Sequence, residues 1–250
     1  MSSTLARTLC TLLVTAAIPS PLSAQTFESG RARDAERGAP YECLHVVLLD
    51  SAGQAIDHTV TDSAGQFLFQ VPRPGVYRVK FAVAHWEPLF GPVDTLKEGD
   101  FRERGYALDF KTKIEPDTDA TNPRWRGDRR LWKLPAGYRR KQVSDSGWIS
   151  HDVVLPYPPV HYPDGFGISD VEGSLVGQFI IDSTGETRRD SWHTIASTHR
   201  EFEKGIVKNL SKWRWKPARN RGQAVCELVI DLTRFGRNAR DTRTVWLETR

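Results

Sequence analysis

The sequence has 250 residues, which is enough for two small domains and short for three. Hydrophobic residues make up 39% and charged residues 26%, so a wholly disordered chain and a many-span membrane protein are both excluded. The formal net charge of +4 is too small to indicate the concentrated basic face that binds DNA or RNA. We therefore expect no nucleic-acid partner.

The first 24 residues have the pattern of an export signal. The apolar run 9–18 follows Arg7 and is broken by Pro19 and Pro21, and small residues then lead to Ala24. The run is about half of the ~20 residues that span a bilayer. We expect cleavage near Ala24 and a periplasmic or secreted protein. The alternative is an uncleaved signal that tethers the chain to the inner membrane.

Residues 25–40 are polar and short of large apolar side chains, so we expect a polar, mobile leader there. From 41 to 110 the sequence alternates short β-rich runs with glycine turns. Two of these turns have the same sequence, Asp-Ser-Ala-Gly, at 50–53 and 62–65. Short strands separated by such turns predict a β-sandwich.

Residues 41–110 also resemble the carboxypeptidase regulatory-like, prealbumin-type sandwich family. The family pattern places a Thr-Asp-x-x-Gly-x-Phe turn before a Pro-Gly-x-Tyr turn. The matching positions are Thr61, Asp62, Gly65, Phe67, Pro74, Gly75 and Tyr77. Because these motifs are mostly turn chemistry, the resemblance implies a fold and says little about function.

Residues 111–156 are basic, carry Trp125, Trp132 and Trp148, and show no regular period. We interpret them as an irregular linker whose tryptophans pack on the flanking domains. The alternative is a surface that stacks on single-stranded nucleic acid or on sugars.

Residues 157–235 predict an α+β unit of two strands, a helix and a last strand, followed by an Arg-rich tail, 236–250, that we expect to fray. Thr198 and Glu201 form a capping-box pattern at the helix start. The apolar stripe of the helix is Phe202, Ile206, Leu210 and Trp213. The predicted fold class is mainly β, a sandwich followed by this β-β-α-β unit.

The α+β unit resembles the TonB C-terminal domain of energy transducers. The matching positions are Tyr162-Pro163, Glu172-Gly173, Ser183-Thr184-Gly185, Trp213, Trp215, Pro217, Ala218, Gly222 and Phe235. The resemblance implies a periplasmic domain whose last strand pairs with an extended segment of an outer-membrane receptor. The chain lacks the membrane helix and the Pro-rich spacer of a typical TonB, which leaves a role in transport open.

Carried over residue by residue, the resemblance implies a partner-binding set around the last strand. Its members are Tyr162, Pro163, Val225, Glu227, Val229, Asp231, Thr233 and Phe235. Alternation along the strand buries one face and leaves Glu227, Asp231 and Thr233 outside. The alternative is that all these residues simply build the sheet. Another envelope protein, peptidoglycan or a second copy of the chain are alternative partners, and a structural or adhesive role is the alternative function.

No enzyme is expected. The sequence contains no H-E-x-x-H, G-x-S-x-G or C-x-x-C motif, and its histidines are scattered, so no catalytic residue, metal site or cofactor is predicted. Cys43 and Cys226 remain after export. An even count in an oxidising compartment suggests a disulfide, whereas the alternation of Cys226 with apolar residues favours two buried thiols.

Overall fold

The computed structural model of the protein describes residues 24–83, 86–110, 147–153, 162–163, 173–235 and 243–244. Strands dominate these residues, and a single short α-helix is found among them. The predicted mainly-β fold class is therefore confirmed at this level. The export signal up to residue 23 lies outside the described residues, as do Trp125 and Trp132 of the basic segment.

Seven strands form two sheets in the N-terminal part. In chain order the strands are β1 (Thr26–Asp34), β2 (His45–Asp50), β3 (Ala55–Val60), β4 (Gln66–Val71), β5 (Gly75–Ala82), β6 (Leu89–Leu96) and β7 (Phe101–Leu108). One sheet has the order β4-β1-β7 and the other β3-β2-β5-β6. The sheets pack face to face, because the rings of Phe67 and Tyr106 from one sheet contact Phe81 from the other. These seven strands are called the sandwich below.

The two Asp-Ser-Ala-Gly turns of the sandwich form as their sequence predicts. Each turn begins with an Asp, Asp50 in one and Asp62 in the other. The side chain of this Asp accepts two main-chain N–H groups of residues that follow it. The closing glycines, Gly53 and Gly65, have φ of 77° and 75°, a region that other residues rarely adopt. Local turn chemistry therefore sets where β3 and β4 begin.

The prediction of a polar, mobile leader over residues 25–40 is wrong for the first half of that segment, because β1 is the central strand of its sheet. β1 pairs antiparallel with β4 and parallel with β7. Its inward side chains are small or polar, since neighbouring aromatic rings fill the space above Gly30. A Cβ at Gly30 would lie 2.6 Å from a ring carbon of Tyr106 and 2.7 Å from one of Phe67. The strand therefore lacks the apolar alternation that identifies most buried strands.

Replacing Gly30 by alanine is expected to destabilise the fold by about 1–3 kcal/mol, because the added methyl group overpacks this site. Gly105→Ala is the matched control, since a Cβ at Gly105 in β7 meets nothing within 4 Å. Urea unfolding of both variants measures the difference. Equal stabilities for the two would show that β1 does not occupy the sandwich core.

The C-terminal part contains the remaining elements. They are β8 (Trp148–Ile149), β9 (Asp152–Val153), β10 (Gly173–Ile181), β11 (Thr187–Ser197), α1 (Glu201–Val207), a 3-10 turn (Leu210–Lys212), β12 (Trp215–Lys216), β13 (Ala218–Asn220), β14 (Gln223–Val225), β15 (Glu227–Phe235) and β16 (Arg243–Thr244). The main sheet is antiparallel, with the order β11-β10-β15-β16. We call it the C-terminal sheet.

Both faces of the C-terminal sheet are covered. One face contacts the helix side, and its buried residues are Leu175, Phe179, Ile181, Val229 and Phe235, packed with Phe202, Ile206 and Leu210. The other face contributes to the core of the sandwich, through Val176, Ile180, Leu228 and Ile230. The sandwich and the C-terminal sheet thus share one hydrophobic core.

The helix is shorter than its sequence pattern predicts. α1 begins at Glu201, and its N-cap, Arg200, makes no side-chain capping bond. The capping box predicted for Thr198 is wrong, because the Thr198 hydroxyl instead accepts the Ser174 N–H at 3.0 Å. The apolar stripe is nevertheless fully buried, since the 3-10 turn carries it on to Trp213.

Two segments expected to be irregular contain strands. Within the predicted linker 111–156, Trp148 is 1% exposed and stacks on His45 at 3.6 Å between ring centroids. β8 and β9 there pair with β13 and β12. Within the tail, β16 pairs with β15 rather than fraying. Trp148 packs on the sandwich, as the linker interpretation expects for its tryptophans.

Candidate binding site at the edge of the C-terminal sheet

The last long strand, β15, pairs very unequally on its two sides. Towards β10 the ladder covers all nine residues of the strand. On the opposite side, within the part of the chain that the structure describes, β16 pairs with Thr233 and Arg234 alone. We call this opposite side the outer edge of β15. It is the edge that the sequence resemblance implies for partner binding.

Two groups from segments that connect the sandwich strands contact the outer edge. The Cys43 carbonyl accepts the Leu228 N–H at 2.8 Å, and the Trp86 indole N–H donates to the Ile230 carbonyl at 3.2 Å. Main-chain groups along an antiparallel strand point alternately to either side. Leu228, Ile230 and Leu232 therefore direct their N–H and C=O groups outward, away from β10.

A disulfide lies beside the outer edge. It joins Cys43 to Cys226, which are 183 residues apart in sequence, with their Cα atoms 5.5 Å apart. Cys226 immediately precedes β15 and is half-buried, while Cys43 is 3% exposed. Of the two alternatives that the sequence left open, the structure has the disulfide. The buried-thiol interpretation favoured by strand alternation is wrong.

The predicted partner-binding side chains are mostly inside the protein. Tyr162 packs against the helix-side core and is half-buried, as is Val225 in β14, while Pro163 is buried. The fully buried members of the set are Glu227, Val229, Asp231, Thr233 and Phe235. The expectation that Glu227, Asp231 and Thr233 lie outside is wrong, because the face that carries them is covered as well as the opposite one. The outer edge therefore offers main-chain groups rather than these side chains.

Glu227 is held by a buried partner. One of its carboxylate oxygens accepts the His151 main-chain N–H at 2.8 Å and contacts His151 Nδ1 at 2.7 Å. Both side chains are 3% exposed. A buried carboxyl group depends on polar partners of this kind, because water does not reach it. Glu227 therefore ties β9 to the start of β15.

Sequence reasoning missed several residues that join the sandwich to the C-terminal part. Arg188 forms a bidentate pair with Glu42, at 2.6 and 3.0 Å. His45 lies between Trp148 and His58 in a buried stack, and burial holds the pKa of His45 well below its usual value of 6.5. Trp148 stands in a polar stretch and His45 in an apolar one, and neither position indicates a partner so far away in the sequence, so no local signal identifies these contacts.

The opposite edge of the sheet, β11, is poorly suited to strand pairing. Its register with β10 is interrupted twice, and the Ser191 hydroxyl rather than the main chain accepts the Ile180 N–H, at 2.9 Å. Arg188 and Asp190 add charges near the interruption. Bulges and charges of this kind protect natural edge strands from pairing.

The sandwich has a shallow groove of about 440 Å³ on its surface. Exposed apolar side chains stand beside it, with Leu68 54% and Phe101 65% exposed. The lining residues are Ser29, Gly30, Thr59, Val60, Asp62, Gln66, Phe67, Leu68, Phe101 and Glu103. The groove combines one exposed ring with acidic side chains.

Inside the sandwich, Glu28 is a buried carboxyl group. It is 2% exposed, Tyr106 donates a hydrogen bond to one oxygen at 3.3 Å, and the other oxygen has no partner among the described residues. Burial, together with the nearby Asp94, raises the pKa of Glu28 from 4.5 to about 7. The folded protein therefore favours the protonated carboxyl.

We expect this group to make stability depend on pH. Since the folded pKa lies above the unfolded one, its contribution is present below pH 4.5 and is lost as the pH rises to about 7. The loss amounts to about 3 kcal/mol, and Glu28→Gln should remove it. Urea unfolding at pH 5 and pH 8 measures this, with the exposed Glu103→Gln as control. An unchanged pH dependence in Glu28→Gln would contradict the assignment.

Comparison with known proteins does not assign a family. No protein-family model and no curated protein sequence matches the chain. A 9R-lipoxygenase from Cyanothece is 12% identical, with a TM-score of 0.27, over 40% of this chain and 19% of the lipoxygenase. The Bacillus anthracis TIE protein is 8% identical, with a TM-score of 0.29, over 85% of this chain and 28% of that protein. The chain thus spans less than a third of either protein.

A third structure, of a Bacteroides uniformis protein proposed to bind carbohydrate, is 9% identical, with a TM-score of 0.28, over 88% of this chain and 94% of that one. At these TM-scores none of the three likenesses carries functional information. The described residues bring no three His, Cys, Asp or Glu side chains together as metal ligands. None of their helices is long and apolar enough to span a membrane.

Proposed function

We propose that the protein is an exported binding protein of the cell envelope, and that an extended segment of a partner pairs with the outer edge of β15. The observation that carries the proposal is the unequal pairing of this strand. Counted over the described residues, its ladder covers nine residues towards β10 and two on the outer edge. An incompletely laddered edge is the structural requirement for strand addition.

The sequence resemblance to the TonB C-terminal domain supports the same edge. That family uses strand, strand, helix, strand, and the elements β10, β11, α1 and β15 follow in this order. The helix packs on one face of an antiparallel sheet through Phe202 and Ile206. The partner implied by the resemblance is a receptor of the outer membrane or another envelope protein.

The expected recognition is main chain to main chain. The outward groups of Leu228, Ile230 and Leu232 match a partner segment of about five residues in extended conformation. Each net hydrogen bond contributes about 0.5–1.5 kcal/mol, so the pairing alone gives modest affinity. Side chains of the partner would add selectivity where they meet the rim of the sheet.

The disulfide supports an extracytoplasmic location. Disulfides persist in oxidising compartments such as the periplasm and are rare where thiols are kept reduced. The pairing of Cys43 with Cys226 agrees with the export signal expected from the first 24 residues. A periplasmic or secreted mature protein is therefore part of the proposal.

An array of extended envelope-protein segments, probed with the purified full chain with and without a dithiol, tests the proposal. Leu232→Pro removes an outward N–H that the ladder with β10 does not use, and it should lose binding because proline cannot donate a main-chain hydrogen bond. Leu232→Ala keeps the N–H and should retain binding. Capture of receptor segments would link the protein to TonB-dependent transport. Absence of binding in both redox states, or equal binding by the two variants, would overturn the proposal.

Exposed Phe101 favours a second candidate, an adhesive protein that binds cell-wall glycan. An exposed aromatic ring beside a polar groove can stack on a sugar face. Co-sedimentation with purified peptidoglycan tests this candidate, and Phe101→Ala should abolish it. Phe90→Ala is the matched control, since Phe90 is also exposed, at 46%, but does not line the groove. Equal sedimentation of both variants would reject the groove.

A further inference from the structure

We infer that the Cys43 segment of the sandwich blocks the outer edge of β15, and that reduction of the Cys43–Cys226 disulfide by a dithiol exposes this edge. The inference rests on the proposed function for its purpose and on the geometry of the edge for its mechanism. It makes the edge a regulated site, closed while the disulfide is intact. The partner segment would then compete with the Cys43 carbonyl for the same main-chain position.

Cys43 acts on the edge in two ways. Its carbonyl accepts the Leu228 N–H at 2.8 Å, and its sulfur is bonded to Cys226, two residues earlier in the chain than Leu228. The covalent bond therefore fixes the blocking carbonyl against the first outward position of the strand. A hydrogen bond held in place by a disulfide is effectively intramolecular at very high local concentration, which an incoming segment cannot match.

The backbone at Cys43 is in a conformation that it would not adopt by itself. Its φ is +57°, in the left-handed region that residues with a Cβ atom rarely occupy. The neighbouring main chain is anchored at Thr61, whose carbonyl accepts the Cys43 N–H and whose hydroxyl accepts the Leu44 N–H. Strain of this kind persists only where surrounding contacts enforce it. Cleavage of the disulfide removes one of those contacts and favours relaxation of Cys43 away from β15.

The Trp86 indole also contacts the edge, through its hydrogen bond to the Ile230 carbonyl at 3.2 Å. This contact does not involve the disulfide. The bidentate Arg188–Glu42 pair lies at β11, on the opposite side of the sheet, and is likewise unaffected by reduction. The buried contacts of Leu228 and Ile230 with the sandwich core remain after reduction. Opening is therefore local to the Cys43 segment and does not separate the sandwich from the C-terminal sheet.

The reduction step is a thiol–disulfide exchange. A thiolate of the dithiol attacks the sulfur of Cys226, the half-buried partner, and the Cys43 sulfur leaves as a thiolate that takes up a proton. The second thiol of the reductant then attacks the mixed disulfide and releases Cys226 as a thiol. The dithiol becomes a cyclic disulfide, and the protein gains two electrons and two protons.

Amide hydrogen exchange of the full chain, with no peptide present, tests the inference. Reduction should speed exchange of the outward Leu228 amide by about tenfold or more, while the adjacent Val229 amide, which faces β10, changes by less than about twofold. Cys43→Ser/Cys226→Ser should reproduce this without a dithiol. An unchanged Leu228 amide would overturn the inference, and so would equal acceleration of Leu228 and Val229, which indicates general unfolding.

The two proposals fail independently. The exchange experiment contains no partner. A negative result would therefore reject the redox-controlled blocking of the edge, and strand addition would still be tested by the array. If no segment of the array binds in either redox state, strand addition is rejected, while the exchange result still stands. If segments bind equally well to the oxidised and the reduced protein, the blocking of the edge by the disulfide is rejected and the proposal of a binding edge is retained.

Discussion

Replacing Cys226 by serine is expected to lower the free energy of unfolding by about 2–5 kcal/mol. The disulfide closes a loop of 183 residues, and the entropy that such a loop removes from the unfolded chain grows with its length. A domain with about 10 kcal/mol of stability, the middle of the ordinary range, remains folded after this loss. Urea unfolding under oxidising conditions measures the effect.

The reductant supplies the control for this prediction. A dithiol should bring the wild-type protein down to the stability of Cys226→Ser, and it should leave the variant unchanged. Equal stability of the oxidised wild type and the variant would contradict a disulfide between Cys43 and Cys226. Mass mapping of the proteolysed, unreduced protein identifies the linked peptides independently.

Replacing Glu227 by alanine is expected to cost about 3–5 kcal/mol, because it removes the buried carboxyl group that accepts the His151 main-chain N–H and contacts the His151 ring. The matched control is Asp152→Ala at the next position along β9. Asp152 pairs with Lys216 at 2.8 Å, close to the 2.7 Å of His151 and Glu227, but its pair is exposed at 60% and 68%. The control should therefore change stability by less than about 1 kcal/mol.

The comparison separates two roles for Glu227. A buried structural anchor destabilises the protein when removed, whereas an exposed partner-binding residue changes binding and leaves unfolding unaffected. If Glu227→Ala unfolds at the same urea concentration as Asp152→Ala, the carboxylate is not the buried tie between β9 and β15. The original expectation of an outward-facing Glu227 would then stand.

Where local chemistry determines the structure, the sequence predicts it well. Asp62 and Gly65 carry everything that their turn needs within four residues, and the turn forms as expected. The apolar stripe from Phe202 to Trp213 is buried as its spacing predicts. These features depend on neighbours in the chain, which is why a single sequence is enough.

The errors arise where distant segments decide. β1 lacks an apolar pattern because Tyr106 and Phe67, far along the chain, fill the space above Gly30. Glu227 was placed outside because alternation assumes that one face of a strand is open, whereas the sandwich and the helix cover both faces. No local pattern reports on a second covering layer.

The organisation of the chain is also less divided than its sequence suggests. The change of pattern near residue 157 indicates two domains, and the resemblances fall on either side of it. The shared core, the disulfide and Trp86 instead join the sandwich to the C-terminal sheet at β15. The joining residues are single tryptophans and cysteines, which are too sparse in sequence to indicate which strand they meet.

The most direct test is amide exchange at Ile230 in the reduced protein, with and without the array segment that binds most tightly. Ile230 directs its N–H outward, so a paired segment should slow its exchange by about tenfold or more. The amides of Arg189 and Asp190, at the interrupted edge of β11, should not change. Protection at β11 or on the sandwich, with Ile230 unaffected, would contradict pairing at the outer edge of β15.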